Sequence, residues 1–187
     1  MKIRLLKYKK VSSTNNIAIN LIKRNRIRPT IVLSKAQMKG RGTRGKKWIS
    51  KKGNLFITIF FEINQKKIDF KQYAIMNAFI LKNIISKYVN KKVTIKWPND
   101  LLIEKMKVCG ILQEIVNHDN KIYLIVGIGI NTCSTPNINS VKATSLREFA
   151  KKKITNQKIL KDIKSIYQKL IKYHTILKFS VLKKKLI

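Results

Sequence analysis

Acidic side chains are scarce in this chain of 187 residues: eight Asp and Glu stand against 42 Lys and Arg, a formal net charge of +34. Cysteine is scarcer still. Cys109 and Cys133 are too few and too isolated for a disulfide framework. His118 and His174 hold no ligand spacing to them, so no metal ligands can be named. No apolar run reaches membrane-spanning length. The basic N-terminus "MKIRLLKYKK" lacks the apolar segment of a secretory signal. These absences point to a cytoplasmic protein with no membrane partner. A charge of +34 raises nucleic acid as a partner, yet no helix-turn-helix, RNP or zinc-finger pattern accompanies the lysines. They are dispersed along a chain also rich in Ile and Asn, so we read the charge as compositional and expect no specific nucleic acid.

What is present is an ordinary globular composition, 44% hydrophobic, enough for one domain with a core. "IRLLKYKKV" reads as a strand, and a short helix follows Ser12 to Asn15, its cap candidates. "PTIVLSKAQ" and the β-branched, aromatic run "GNLFITIFFEI" read as strands. "DFKQYAIMNAFILKNIISKYV" carries Phe70, Tyr73, Met76 or Asn77, Ile80, Ile84 and Tyr88 at helical spacing, the pattern of the main packing helix. "KKVTIKW" and "DLLIE" are short strands around Pro98. "VCGILQEIV" and "KIYLIVGIGIN" form a strand pair joined at "NHDN". After a polar loop, Thr132 to Lys142, the stretches "SLREFAKK" and "NQKILKDIKSIYQKLIKYH" read as helical. Strands in the middle with helices over them make the class α+β.

"GRGTRGKKW", Gly40 to Trp48, satisfies G-x-G-x-x-G and most of the P-loop pattern. Both motifs need a helix to start at the loop and hold phosphate at its N-terminus. Here another loop and a strand come next, and Lys47 stands where the P-loop needs a hydroxyl. Both matches are therefore coincidental. Glycines that permit close approach and positive φ, beside Arg41, Arg44, Lys46 and Lys47, still suit an anion. A mobile basic surface loop is the plain alternative.

"KWPND", Lys96 to Asp100, gathers a cation, an indole, a rigid proline, an amide and a carboxylate. Its plain alternative is a strand-ending turn with Trp97 in the core. Lys107 alone is one surface lysine among many; its spacing after this segment raises it. Gly127 and Gly129 interrupt a strand in "GIGIN", a mark of close approach by a ligand or another backbone. Glu114 reads either as a residue supporting a site or as a paired carboxylate in a lysine-rich chain, and we favour the latter; the plain alternative for Asn131 is a strand closer.

In order, "SSTN", "Q…GRGTRGKKW", "GNLFIT", "KWPNDLLIEKMKVCGILQE" and "GIGIN" resemble the catalytic domain of biotin protein ligases, from about Ser12 to Asn131. The resemblance implies a mixed, mostly antiparallel central sheet with packing helices, the class II synthetase-like ligase fold, as a single catalytic domain over 1–187. It implies an ATP- and magnesium-dependent biotin–[acetyl-CoA carboxylase] ligase that makes biotinyl-5′-AMP and transfers biotin to a lysine of a biotin carboxyl carrier protein. The biotin site it implies comprises Ser13, Thr14, Asn15, Gln37, Gly40, Arg41, Gly42, Lys107 and Gly110. The adenylate side comprises Arg44, Trp48, Asn99 and Asn131, and the catalytic groups are Lys107, Arg41 and Asp100. Thr43 departs from the family, which commonly has an Arg there that helps retain the adenylate. Neither the helix-turn-helix domain of repressor-type ligases nor strands for a small C-terminal SH3-like domain is expected. The chain is expected to be a monomer or a homodimer. Rival readings are a lipoate or octanoate ligase of the same superfamily and a basic nucleic-acid-binding protein.

Overall fold

The computed structural model describes residues 2–64, 66, 68–136, 142–174 and 176–186, with residue 182 described by its backbone. Part of the polar loop expected over 132–142 lies outside these residues. Seven strands form one sheet: β1 (Arg4–Tyr8), β2 (Thr30–Ser34), β3 (Leu55–Ile63), β4 (Val93–Lys96), β5 (Asp100–Ile103), β6 (Met106–His118) and β7 (Lys121–Ile130). Their order is β1-β2-β3-β7-β6-β5-β4. β1 and β2 pair in parallel through the crossover helix α1 (Thr14–Lys23), and every other pairing is antiparallel. The expected mixed, mostly antiparallel sheet is therefore what the chain builds. "NHDN" makes the expected connection: Asp119 and Asn120 both take positive φ, 48° and 57°, as a two-residue hairpin turn of matching twist demands.

Side chains alternate across the sheet, so its two faces differ. From β3, Leu55, Ile57, Ile59, Phe61 and Ile63 enter the large core; from β7, Leu124, Val126, Ile128 and Ile130 do so. That face is covered by α2 (Phe70–Ser86), α3 (Asn156–Tyr173) and α4 (Phe179–Leu186). Asp69 starts α2 with a capping box: its carboxylate accepts from the Gln72 N–H, and the Gln72 side chain accepts from the Asp69 N–H. Tyr73 on α2 and His174 after α3 meet in this core at 2.8 Å, with the ring of Phe61 5.3 Å from the imidazole. Burial pushes the His174 imidazole from its ordinary 6.5 to about 4, against a smaller opposing pull from Glu62.

On the opposite face, α1 covers a smaller core with Val32, Phe60, Tyr123 and Ile125. The rest of that face is open and forms a cavity. Two expectations need correction. "SLREFAKK" is helical only as a 3-10 turn over Leu146–Phe149, because Ser145 and Glu148 close a capping box there and Ala150 returns to extended backbone. The sequence pattern also misses a further helix, α4; the run "FSVLKKKL" is short and lysine-rich, and it packs partly through Leu186 against the core and through Lys185 over the Tyr173 ring. Among the described residues no helix is long and apolar enough to cross a membrane.

Candidate active site

The open face carries a cavity of about 140 Å³. Segments far apart in sequence meet around it, chiefly the start of α1, the stretch from Gln37 through the glycine hairpin, the 99–112 region, and the end of β7. The strands supply its floor by omitting side chains. Gly110 and Gly129 pair across β6 and β7, and Gly127 faces Thr58 across β3 and β7. A Cβ on Gly129 would lie 2.4 Å from the Trp48 indole, one on Gly110 2.6 Å from it, and one on Gly127 2.2 Å from Asn15 Oδ1. The strand glycines thus mark close approach, but the approaching groups are the side chains of Trp48 and Asn15 rather than another backbone.

One wall is polar and fully specified. Ser13 occupies the N-cap position of α1 but makes no side-chain cap bond. Gln37 Oε1 accepts from the Thr14 N–H at 2.8 Å and lies 3.0 Å from Thr14 Oγ1, while its Nε2 donates to Ser50 Oγ at 3.0 Å. The Thr58 hydroxyl donates to Asn15 Oδ1 at 2.6 Å and lies 2.8 Å from Thr14 Oγ1. Asn15 Nδ2 donates to Glu114 Oε2 at 2.7 Å. Ser13, Thr14, Asn15 and Thr58 are all buried.

Over the cavity lies the glycine segment as a small hairpin. Gly42 N–H donates to Lys46 O at 2.7 Å and Trp48 N–H to Gly40 O at 2.9 Å. Its three glycines do different work, and Gly42 closes the turn by donating to Lys46 O. Gly45 uses positive φ, 73°, as does Arg44 at 53°. Gly40 instead allows the two arms to touch: a Cβ there would sit 2.4 Å from Trp48 O. The next regular element after the hairpin is the strand β3, not a helix, so neither nucleotide-loop motif is present. Arg41 Nη1 donates to Asn16 Oδ1 at 2.9 Å, and its Nη2 pairs with Glu114.

The facing wall is cationic. Lys107 Nζ lies 2.7 Å from Asp100 Oδ1 and 5.4 Å from the Trp48 ring centroid. Asp100 opens β5 directly after the Trp97-Pro98-Asn99 turn, so the "KWPND" hairpin is what aims it at Lys107. Asn99 Nδ2 donates toward Thr43 Oγ1, 3.4 Å away, tying that turn to the glycine hairpin. Trp97 itself is 52% exposed and meets Phe79 edge-on, so it is no core residue. Cys109, beside Lys107, is fully buried, and burial drives its thiol pKa up. At the far end, Asn131 Nδ2 donates to Thr144 O at 3.2 Å, while Asn131 Oδ1 and Trp48 Nε1 are buried without a hydrogen-bond partner among the described residues.

Of the residues singled out in sequence, Ser13, Thr14, Asn15, Gln37, Arg41, Gly42, Trp48, Asn99, Lys107, Gly110 and Asn131 line this cavity. Gly40 and Asp100 stand just behind it, against Trp48 and Lys107. Arg44 does not line it and is exposed at the hairpin tip. Glu114 is the residue sequence reasoning underweighted. It is indeed paired, but with the hairpin arginine and with Asn15. Its one local signal is its place four residues after Gly110, on the same strand face as that glycine.

A family model described as the biotin/lipoate A/B protein ligase family matches residues 8–131. The bifunctional ligase/repressor BirA of Bacillus subtilis is 30% identical over 165 residues, covering 85% of this chain and 51% of that protein. The biotin–[acetyl-CoA-carboxylase] ligase of Paracoccus denitrificans is 31% identical over 114 residues, 59% of this chain and 48% of that one. The chain thus spans about half the length of these curated relatives. Among solved structures, the biotin protein ligase from Aquifex aeolicus in complex with biotin and ATP superposes with a TM-score of 0.78 at 28% identity, covering 98% of this chain and 76% of that one.

Proposed function

The chain belongs to the biotin/lipoate A/B protein ligase family, and on that premise we propose that it is an ATP-dependent biotin–protein ligase. Biotin's carboxylate attacks the α-phosphorus of ATP, forming the mixed anhydride biotinyl-5′-AMP and expelling pyrophosphate. The ε-amine of a carrier-protein lysine then attacks the acyl carbon, forming the amide and releasing AMP and a proton. The observation that carries this reading is the convergence of segments distant in sequence on one cavity, polar at one wall and cationic at the other.

The first step brings two anions together, so its largest need is fixed positive charge at the developing phosphoryl charge. Lys107 and Arg41 supply it. Asp100 holds the Lys107 ammonium in place and keeps it desolvated against Trp48. The polar wall of Ser13, Thr14, Asn15 and Gln37 takes the ureido ring. Gly110 and Gly42 leave room for the acyl chain. Asn131 Oδ1, a buried acceptor without a partner among the described residues, matches an exocyclic amine such as adenine's. Asn99 and Trp48 complete that side. In the second step the acceptor amine must be neutral, and Asp100 accepts its proton or orients it.

Magnesium enters with the nucleotide and would screen the leaving pyrophosphate. The described residues offer no cluster of three metal-ligating side chains, and the two carboxylates nearest the cavity are committed, Asp100 to Lys107 and Glu114 to Arg41. No step is therefore assigned to a protein-held metal.

The cavity is smaller than the roughly 300 Å³ typical of small-molecule sites. The Trp48 indole fills part of the glycine floor, so ligand entry requires the 40–48 hairpin to lift and close again. Biotin is favoured over lipoate because the relative from Paracoccus denitrificans and the similar structure from Aquifex aeolicus are biotin ligases by name. A carrier-domain assay with ATP and magnesium tests the proposal: incorporation of biotin into the carrier lysine is expected. Incorporation of lipoate alone, or of neither acid, would overturn it.

A further inference from the structure

Glu114 has no role in the proposed reaction, yet it is hydrogen-bonded to both Arg41 of the hairpin and Asn15 of the polar wall. We propose that it is a positioning residue with two functions: it latches the hairpin over the cavity through Arg41, and it sets the hydrogen-bond direction of the wall through Asn15. The second function rests on the reading of the cavity as a biotin site; the first does not.

The latch is a matter of geometry. Arg41 comes directly after Gly40, at the base of a hairpin whose tip is exposed. Its guanidinium is held at both ends, by Asn16 on α1 and by Glu114 on β6. Side-chain exposures of 39% and 22% keep this pair partly out of water, where a charge-assisted bond is stronger than on the open surface. Glu114 stands on β6 opposite Ile125 of β7, so it is a sheet-borne anchor for the arm of the hairpin across from Trp48.

The direction of the wall is set by donor counting. A carboxylate only accepts, so Glu114 fixes the Asn15 amide with Nδ2 toward itself and Oδ1 away. Asn15 Oδ1 only accepts, so it takes the Thr58 proton. Thr58 Oγ1 is left as an acceptor 2.8 Å from Thr14 Oγ1. The Thr14 proton then goes to Thr58 or to Gln37, 3.0 Å away, and not into the cavity. A ligand therefore meets Thr14 Oγ1 as an acceptor. The wall suits a ligand group that presents an N–H there, as a cyclic urea does. Without the charge on Glu114 the Asn15 amide keeps only its long bond to the Leu112 carbonyl, 3.5 Å, and this order is weakened.

The test compares the full chain with Glu114→Gln, which keeps the shape, and with Glu114→Asp. Tryptic cleavage after the basic residues of the hairpin, with no ligand present, reads the latch. Biotin-dependent exchange of pyrophosphate into ATP reads the wall. For Glu114→Gln we expect cleavage about fivefold faster, a biotin KM raised about tenfold and a kcat lowered less than about threefold, since bound ligand then holds Arg41. Glu114→Asp is expected to recover part of both. High salt should speed cleavage of the wild type and leave Glu114→Gln unchanged. Equal cleavage rates and equal biotin KM in wild type and Glu114→Gln would overturn the proposal. Wild-type chain that shows the cleavage difference but no biotin-dependent exchange would overturn the wall function together with the biotin reading, and leave the latch standing.

Discussion

The two faces of the sheet are made by the same strands and obey different rules. Along β7, Leu124, Val126, Ile128 and Ile130 pack into the helix-covered core, while Gly127 and Gly129, between them, have no side chain to pack. On the helix face, stability comes from filled volume. On the open face the strands give up side chains so that Asn15, Trp48 and a ligand can come close. A residue's contribution, to folding or to chemistry, is thus decided by whether its position in the strand is odd or even.

The contrast can be broken from either side. The largest effect is expected at Leu124, fully buried on the helix face. Leu124→Ala should cost about 2–5 kcal/mol of stability, read from urea unfolding, and leave the biotin KM nearly unchanged. A large KM change with intact stability would erase the distinction between the faces. The helix face also carries the acid sensitivity. Because the folded-state pKa of His174 is depressed, to about 4 from 6.5, its neutral form stabilises the fold fully above pH 6.5, and that contribution is lost as pH falls from 6.5 toward 4. The span corresponds to about 3 kcal/mol at most. Unfolding curves at pH 7 and 4.5 should show a steeper loss for the wild type than for His174→Gln; parallel losses would place the acid sensitivity elsewhere.

On the open face the expected effects are functional. Gly129→Ala puts a methyl where the Trp48 ring lies, so the indole must lift. About tenfold weaker biotin binding is expected, with little change in thermal midpoint; unchanged binding would show that the indole's seat is immaterial. The smallest effect is expected at the hairpin tip. Thr43 meets Asn99 at 3.4 Å with its hydroxyl and brings no charge. Thr43→Arg should lower release of free adenylate about threefold in a quench assay, by adding a cation over it. Equal release would mean that retention does not depend on charge at this position.

Most of the fold was legible because its signals are local. The dense β-branched run at 55–63, the helical spacing from Phe70 to Tyr88 and the "HDN" turn each carry their own period or turn chemistry. The glycine segment also yields to local reasoning: it leads to a strand where a nucleotide motif needs a helix. What escaped depends on partners distant in sequence. Glu114 looks like any carboxylate among lysines until Arg41, 73 residues away, is placed beside it. The reasons for the three hairpin glycines differ, and their differing contacts across the turn are invisible in the string "GRGTRG". "SLREF" has helical composition, but its capping box closes on a single 3-10 turn.

The central claim is that the cationic wall of the open face performs the chemistry, and Lys107 is where it is most exposed to test. Single-turnover formation of biotinyl-5′-AMP should be about 10²–10³ slower in Lys107→Ala than in the wild type, with unfolding energetics unchanged. Adenylate formation by Lys107→Ala at the wild-type rate would contradict the account.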